Sequence, residues 1–457
     1  MLLADRTRTA SPWVALAVLS TAMLMIILDG TIVSVALPAL RDDLGFTETG
    51  LSWTVNAYLL PLGGLLLLAG RIGDLVGRRR VLVAGLVLFV LASLACGLAT
   101  GPATLVAARA LQGVGAALAS SVVLGMVVGL FDDSPNPDVD RARAMGTYAF
   151  VGAAGASIGL LLGGVLTEAL SWRAIFLVNV PIGAVATVLV LWVLPFDAPR
   201  GRGERPDLLG AVLVTLGLAS LVFAIVEVSW VAGVVAVVLL AGFGLRQARA
   251  AAPLVPPRVL RSRAVSLGNL AQVLTVAAMM GFQFATALFL QQVRGYSPAA
   301  TGLAMTPVAV IIGIVALRGA GPLIARYGAR RVLLAGLGLL LAGFAVLVGA
   351  PITDQQSTVY LTDLLPALVL LGLGAGLVMP SVTTVVMADA DADTAGLTSG
   401  LANTGQQVGG AIGIALLAAV AAADGYRTAY LVAGVLVVAS ALVVAVGLRP
   451  RERNSGL

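Results

Sequence analysis

Long blocks of consecutive apolar residues recur along the whole chain, and they restrict its fold more than any other feature of the sequence. Of the 457 residues, 59% are hydrophobic and only 11% are charged, whereas soluble domains carry roughly 25% charged residues. About 20 apolar residues cross the hydrocarbon core of a bilayer as a helix, and irregular backbone cannot face lipid. The sequence therefore predicts an all-α polytopic membrane protein.

The apolar blocks predict fourteen membrane spans. They cover residues 13–38, 50–69, 80–99, 102–130, 142–166, 174–194, 208–226, 229–245, 264–290, 299–317, 331–350, 362–386, 396–421 and 428–448. Of the 28 basic residues, all arginines, 23 fall in the tails and one set of alternate loops, four fall in the other loops, and one, Arg109, falls inside a span. Because arginine-rich loops stay in the cytoplasm, we expect both termini to be cytoplasmic.

The composition excludes several classes of site. The chain has no histidine and a single cysteine, Cys96, so a disulfide framework or a thiolate metal site is not expected. No phosphate-binding loop is present, and we expect neither a metal nor a cofactor. The net charge of +6 is explained by the loop arginines, so nucleic-acid binding is not expected either.

Two stretches of the sequence repeat each other. The segment "GRIGDLVGRRR" (Gly70–Arg80) joins spans 2 and 3, and "GPLIARYGARR" (Gly321–Arg331) joins spans 10 and 11. Spans 5 and 13, again eight helices apart, both carry glycines at spacings of three to five residues. This repeat predicts an N-terminal six-helix half (1–194), two inserted helices with linkers (195–263) and a C-terminal six-helix half (264–457). Internal repeats of this kind are typical of secondary transporters.

Further motifs accompany these segments in a fixed order. They read "LDGTIVSVALP", "RALQGVGAA", "GASIGLLLGG", "SWRAIFLVNVPIG", "PLVPPRVLRSR", "FLQQVRGYSPAATGL" and "GLTSGLANTGQQVGGAIG". Together the motifs resemble the major facilitator superfamily, and specifically its 14-span drug:proton antiporter branch. The resemblance implies two six-helix bundles with two inserted helices. It also implies export of hydrophobic or amphipathic compounds such as drugs or antibiotics, coupled to protons, by a monomer in the bacterial cytoplasmic (inner) membrane.

Asp29 is the least expected residue in the chain, because it lies inside the first apolar block. A carboxylate at the centre of a membrane helix costs about 2.5–3.5 kcal/mol on insertion, and such residues normally face an interior site and work there. Burial disfavours the ionised form, which lets a carboxylate load and unload a proton. We expect Asp29 to carry the coupled proton; the alternative is a purely structural, paired carboxylate.

Arg109 is the basic residue inside a span, with Gln112, Gly113 and Ala116 on its helix face. Its charge is permanent, so it can act on the protonation of a nearby acid. The resemblance implies that spans 1 and 4 line the same half, which would bring Arg109 to Asp29. The alternative is an arginine that only satisfies backbone carbonyls.

Two glycine-containing motifs are singled out, one for the conformational change and one mainly for helix packing. A conformational latch is predicted at the inner ends of spans 2 and 3, where a carboxylate faces arginines; its residues are Gly70, Arg71, Gly73, Asp74, Gly77, Arg78 and Arg79. The simpler interpretation of these arginines is membrane anchoring. The second repeat has Ala325 in place of Asp74, so its latch should be weaker. A helix-packing stripe is predicted at Gly155, Gly159, Gly163 and Gly164.

Polar, aromatic and sulfur-containing residues within the spans are candidates for contact with a small-molecule substrate. They are Met25, Asn56, Tyr58, Gln112, Tyr148, Asn269, Gln272, Met279, Gln283, Asn403, Gln406 and Gln407. Three alternatives remain at this stage: a carrier of one endogenous metabolite, a membrane sensor without transport, and a membrane-embedded enzyme. An enzyme is disfavoured because no cluster of acids, histidines or metal ligands is seen.

Overall fold

The computed structural model describes residues 11–47, 49–131, 134, 136–195, 206–250, 252–350, 360–388 and 395–447, and these are helical apart from turns and short connections. The helices are α1 (Pro12–Ile32), α2 (Leu37–Leu44), α3 (Ser52–Val76), α4 (Arg78–Gly97), α5 (Pro102–Gly129), α6 (Pro137–Ala169), α7 (Ala174–Leu177), α8 (Asn179–Val193), α9 (Leu208–Val226), α10 (Trp230–Arg249), α11 (Pro257–Leu260), α12 (Arg263–Leu288), α13 (Pro298–Ile314), α14 (Ala320–Tyr327), α15 (Ala329–Gly349), α16 (Leu365–Met387) and α17 (Ala395–Leu442). The predicted cytoplasmic termini, residues 1–10 and 448–457, lie outside the described residues.

Twelve helices in the described part of the chain are long and apolar enough to cross a membrane, so the predicted count of fourteen is not confirmed. The difference arises at two places. Predicted spans 13 and 14 follow each other within the 48 residues of α17, which Gly425, with a non-helical φ of 83°, divides into two helices. Predicted span 5 lies within the 33-residue helix α6, in which the described apolar stretch is Ile158–Ala169.

Prolines, glycines and short polar side chains set the ends of the helices. Pro12 and Pro102 stand in the first turns of α1 and α5, where a missing N–H costs no hydrogen bond. The Thr104 hydroxyl accepts a hydrogen bond from the Gly101 N–H over 3.1 Å. Gly77 separates α3 from α4 with φ of 106°, a conformation that other residues rarely adopt.

The chain forms two compact units. Unit 1 comprises Met1–Leu254 and Thr286–Thr306, and unit 2 comprises Val255–Ala285 and Pro307–Leu457. The predicted inserted helices, α9 and α10, belong to unit 1. There Thr215 of α9 lies against Gly64 of α3, where an added Cβ would come 2.3 Å from the Thr215 hydroxyl oxygen.

Glycines bring the helices of unit 1 into close contact. A Cβ added to Gly159 would lie 3.0 Å from the Leu28 carbonyl oxygen, and one added to Gly163 would lie 2.5 Å from the Ile32 carbonyl oxygen. The predicted glycine stripe of α6 therefore packs directly against α1. Gly164, the last residue of that stripe, instead lies against the Pro298 carbonyl of the same unit. The stripe thus fixes the position of α1, the helix that carries Asp29.

The crossing of α4 and α5 in unit 1 has a counterpart in unit 2. Gly85 and Gly115 face each other, and a Cβ on either would come within 2.9 Å of the other's carbonyl oxygen. In unit 2, Gly336 of α15 and Gly374 of α16 face each other at the same separation. These crossings support the internal repeat read from the sequence.

Candidate functional site

Asp29 lies fully buried in α1, at the centre of a polar network within unit 1. Its Oδ2 accepts a hydrogen bond from Arg109 Nη1 over 2.5 Å. Its Oδ1 accepts hydrogen bonds from the side-chain amides of Gln112 and Asn179, each over 2.8 Å. All three of these partners donate to Asp29, and they come from α5 and α8.

Arg109 is also fully buried, and its guanidinium binds groups from three helices. Besides Asp29 of α1, Nε donates to the Thr54 carbonyl of α3 over 2.8 Å, and Nη1 donates to Gln112 Oε1 over 2.6 Å. Its Cζ lies 4.4 Å from the centre of the Tyr58 ring, within the range of a cation–π contact. The predicted proximity of Arg109 to Asp29 is therefore present in the structure.

Gln112 links Asp29 to α4. Its Nε2 donates to both Asp29 Oδ1 and the Ser93 hydroxyl, each over 2.8 Å, while its Oε1 accepts from Arg109 and, more weakly, from Cys96 over 3.7 Å. Both ends of this amide are therefore fixed in direction. Gln112 was predicted as a substrate contact, and here it is engaged with Asp29 and Arg109.

A short segment between α6 and α8 brings Phe176 and Asn179 to the network. Asp43, at the end of α2, accepts hydrogen bonds from Trp172 Nε1 over 2.9 Å and from Arg173 Nη1 over 2.6 Å. The Arg173 guanidinium, with help from the Trp172 N–H, lowers the pKa of Asp43 below its usual value. This anchored turn leads into α7, whose Phe176 ring lies 5.6 Å from Arg109 Cζ.

The Tyr58 ring of α3 packs against Arg109, and its side chain and backbone contact two neighbouring helices. The Tyr58 hydroxyl donates to the Ile26 carbonyl of α1 over 3.1 Å. Gly113 of α5 touches the backbone of Tyr58, and an added Cβ there would come 2.3 Å from its carbonyl oxygen. Asn56, also fully buried, has both side-chain polar atoms without a hydrogen-bond partner among the described residues.

The predicted latch residues lie where α3 meets α4. Arg78 donates from Nε and Nη2 to Asp74 Oδ1 over 3.2 and 3.0 Å, across the Gly77 turn. Arg78 also lies beside Gly125 of α5, and Gly73 lies against Val122 of the same helix. Arg79 points instead to α8, where it donates to the Leu191 carbonyl.

The remaining candidate substrate residues are spread over both units. In unit 1, Met25 is buried against Gly183 of α8. In unit 2, Gln272 is buried without a described hydrogen-bond partner, and Asn269 donates to the Val265 carbonyl of its own helix. The others are partly or fully exposed: Tyr148, Met279, Gln283, Asn403, Gln406 and Gln407.

Among the described residues of unit 2, the positions equivalent to Arg109, Gln112 and Ser93 are apolar. The facing glycines Gly115 of α5 and Gly374 of α16 align the two repeats. In this alignment Arg109 corresponds to Leu368, and Gln112 corresponds to Leu371. Likewise, Phe344 stands in α15 where Ser93 stands in α4. Leu368, Leu371 and Phe344 are all buried. The repeat has therefore kept its helix packing, while apolar side chains in unit 2 stand at the positions of Arg109, Gln112 and Ser93.

Comparison with known families identifies the fold to which this network belongs. The sequence profile of the Major Facilitator Superfamily matches residues 19–414. The chain belongs to the Major Facilitator Superfamily. Members of this superfamily carry small molecules across membranes, so the chain is a multi-pass membrane transporter rather than an enzyme.

Curated relatives within the superfamily are named for antibiotic resistance and export. The puromycin resistance protein pur8 of Streptomyces alboniger is 39% identical over 428 residues, which are 92% of this chain and 83% of that protein. The cephamycin export protein CmcT of Amycolatopsis lactamdurans is 40% identical over 423 residues, 90% of this chain and 85% of that protein. The multidrug resistance protein Stp of Mycobacterium tuberculosis is 35% identical over 412 residues, 88% of this chain and 74% of that protein.

A solved structure shares the fold at low sequence identity. The human organic anion transporter MFSD10 (TETRAN) superposes with a TM-score of 0.65 and 16% identity, covering 95% of this chain and 100% of that chain. At this identity the similarity concerns the fold alone.

Sequence reasoning missed four contributors to the network: Thr54, Ser93, Phe176 and Asn179. Thr54 acts through its backbone carbonyl, which no side-chain pattern reports. Ser93 and Asn179 are polar residues within apolar spans, and this signal was available for both. Asn179 in particular lies within the segment "SWRAIFLVNVPIG", which was singled out as a motif without a role for its asparagine.

Proposed function

We propose that this protein exports hydrophobic or amphipathic small molecules, such as drugs or antibiotics, in exchange for protons by alternating access. The relatives named for puromycin resistance, cephamycin export and multidrug resistance support export of antibiotic-like compounds. The observation that carries the proton coupling is the buried pair of Asp29 and Arg109, in contact with the amides of Gln112, on the same helix as Arg109, and of Asn179 on α8.

In this proposal, Arg109 has different interactions when Asp29 is ionised and when Asp29 is protonated. The ionised carboxylate balances the guanidinium charge within a buried site, where an isolated charge is strongly unfavourable. When Asp29 takes up a proton, Arg109 keeps the Thr54 carbonyl and Gln112 but loses its counter-charge. The resulting imbalance favours a different arrangement of α1, α3 and α5, and this couples protonation to the change of access.

Asp74 and Arg78 are proposed to act as a latch on the proposed cytoplasmic side. Their ion pair spans the turn between α3 and α4, and Arg78 also reaches α5. A contact of this kind can exist in one access state and separate in the other. The simpler role, anchoring of the arginines at the membrane surface, would leave Asp74 without a function.

We further propose fourteen spans, cytoplasmic termini, a monomer and a location in the bacterial cytoplasmic membrane. The length of α17 and its break at Gly425 support two spans within that helix, and the length of α6 supports another. The arginine distribution supports the orientation. The substrate is proposed to contact neutral polar and adaptable side chains, such as Asn56, Gln272 and Met279.

A second candidate is a dedicated exporter of one self-made antibiotic. The names of two further relatives favour it: the tetracenomycin C resistance and export protein of Streptomyces glaucescens, and the probable actinorhodin transporter of Streptomyces coelicolor. Growth inhibition across a panel of compounds, with and without the gene, separates the candidates, because a multidrug exporter protects against several unrelated compounds.

Purified protein in proteoliposomes tests the exporter proposal directly. With puromycin as the probe, an imposed pH gradient should drive its uphill movement, and adding puromycin should move protons in the opposite direction. Substrate movement without proton movement would indicate a carrier that is not coupled to protons. The absence of both, across a panel of antibiotics, would favour the sensor.

A further inference from the structure

Asn179 and Gln112 both donate to Asp29 Oδ1, but they differ in how freely they can reorient. Gln112 is fixed at both ends, because its Oε1 accepts from Arg109 and its Nε2 also binds Ser93. Asn179 makes one side-chain hydrogen bond, to Asp29, and its buried Oδ1 has no partner among the described residues. Asn179 alone of the two can turn its amide over without breaking other contacts.

The two protonation states of a carboxyl group need opposite partners. An ionised carboxylate accepts hydrogen bonds only, whereas the protonated acid has an O–H that must donate to an acceptor. A buried O–H without an acceptor is costly. The amide of asparagine carries a donor and an acceptor on the same carbon. A half-turn about its Cβ–Cγ bond exchanges them at nearly the same place.

We propose that Asn179 is a positioning residue that stabilises Asp29 in both protonation states. It donates Nδ2–H to the ionised carboxylate and, after its amide turns over, accepts the O–H of the protonated acid at Oδ1. The inference rests on the proposed role of Asp29 as proton carrier. The step is balanced: an O–H bond of a hydronium ion breaks as the Asp29 Oδ1–H bond forms, and that bond later breaks as the proton returns to water on the other side.

The location of Asn179 suits this role. It is the first residue of α8, directly after the segment that Asp43 anchors through Trp172 and Arg173. The backbone on which the amide turns is thus held in place, and the exchange requires only side-chain rotation. Because the Asn179 amide exchanges its donor and acceptor in place, Asp29 keeps a hydrogen-bond partner both before and after protonation.

The ionisable groups around Asp29 come from three helices. Among the described residues, Arg109 of α5 pairs with it, while Tyr58 of α3 and Cys96 of α4 interact with it electrostatically. The segments α7 and α8 contain no ionisable side chain, and α6 meets α1 through its glycine stripe. Asn179 is therefore a neutral partner, distinct from the charge of Arg109.

Infrared difference spectra between high and low pH test the exchange on the wild-type chain, with isotopically labelled asparagine. We expect a protonated carboxyl band that is absent from Asp29→Asn, together with a shifted asparagine side-chain amide band that is absent from Asn179→Leu. A carboxyl band without any asparagine change would overturn this inference alone. If wild type and Asp29→Asn show the same carboxyl bands, the proton-carrier proposal fails as well.

The pH dependence of gradient-driven export gives a second test. If Asn179 only donated to the ionised form, Asn179→Leu would raise the pH of half-maximal export by about one to two units, since a hydrogen bond to a charged group is lost. If it serves both forms, the shift should stay within about half a unit, because both forms lose a partner. Thr187→Val, on the same helix, is the matched control; Thr187 donates to the Gly183 carbonyl and should show wild-type behaviour.

Discussion

Arg79 donates a hydrogen bond from its guanidinium to the backbone carbonyl of Leu191, near the C-terminal end of α8. Unit 2 repeats this contact, because Arg330 donates from Nη2 to the Ala445 carbonyl over 2.7 Å, just beyond α17. The two arginines occupy the same position in the repeated segments. Arginines that bind the last carbonyls of a helix stabilise its end, so this position ties two helices together within each repeat.

Arg79→Ala should lower the stability of the protein in detergent by about 1–3 kcal/mol, because a charge-assisted, part-buried hydrogen bond to the Leu191 carbonyl is lost. Arg330→Ala should cost less, since its contact with Ala445 is exposed. Thermal unfolding measures both. Arg80→Ala is the control, because within the described part of the chain Arg80 makes one exposed contact, over 3.4 Å, with the Val76 carbonyl. Equal melting temperatures for all three variants would contradict the proposed tie.

Asp29→Asn should abolish uphill export driven by a pH gradient while compound binding and downhill exchange persist. Asparagine resembles the protonated acid in shape and neutrality but cannot titrate. Arg109 loses its counter-charge, so some loss of stability, about 3–5 kcal/mol, is expected. Transport of puromycin in proteoliposomes with and without a pH gradient checks the result, with Asp42→Asn at an exposed position as the control. Full gradient-driven export by Asp29→Asn would return Asp29 to a structural role.

Arg109→Ala should shift the pH dependence of export toward higher pH before activity is lost. Removing a fixed positive charge favours the neutral, protonated form of Asp29. The double variant with Asp29→Asn should show no pH effect beyond that of Asp29→Asn alone, because both changes act on one titration. Rates measured over a range of pH test this, and additive effects would show that the two residues act separately.

Gly113→Ala should destabilise the protein by about 1–3 kcal/mol, as overpacked sites do. The new methyl group would lie 2.3 Å from the Tyr58 carbonyl oxygen, so α3 and α5 would have to separate. That movement would also stretch the bond from Arg109 to the Thr54 carbonyl. Gly129→Ala, in the last turn of the same helix with nothing within 4 Å, should leave the melting temperature unchanged. Equal effects of the two substitutions would argue against the close contact.

Asp207→Ala should lower the stability of the hairpin of α9 and α10 by about 0.5–2 kcal/mol, the usual cost of losing an N-cap. Asp207 accepts from the Gly210 N–H over 2.9 Å, from Arg246 over 3.0 Å and from Gln247 over 3.0 Å. Burial alone raises the pKa of Asp207, but these donors outweigh it and lower the pKa below 3.8.

The stabilisation by Asp207 should therefore be complete above about pH 4 and be lost as the pH falls through the lowered pKa. Melting temperatures of wild type and Asp207→Ala should differ at pH 7 and converge in stronger acid. A difference that stays constant down to the lowest accessible pH would show that the carboxylate charge contributes nothing.

The sequence reveals the helices and the pair at the centre of the site because both depend on local rules. Apolar length predicts spans, and helical spacing places Gln112 on the face of Arg109. Contacts between helices are different, since spacing along one helix does not tell which side chain another helix presents. Asn179 reaches Asp29 through a turn held by Asp43, and that geometry depends on tertiary packing.

The apolar core of unit 2 has a consequence for energetics. In the described part of the chain, Asp29 is the carboxylate that lies fully buried within a membrane span. A carrier that returns one proton per cycle through it gains about 2.3 kcal/mol from a membrane potential of about 100 mV. Each 1.4 kcal/mol corresponds to a tenfold change in an equilibrium concentration ratio. The voltage alone can therefore hold a neutral compound at a concentration ratio of roughly 50 to 1 across the membrane. A pH gradient raises this ratio about tenfold per pH unit through the same carboxylate, whereas moving a second proton per cycle would require another titrating group, which the leucines and phenylalanine of unit 2 do not supply.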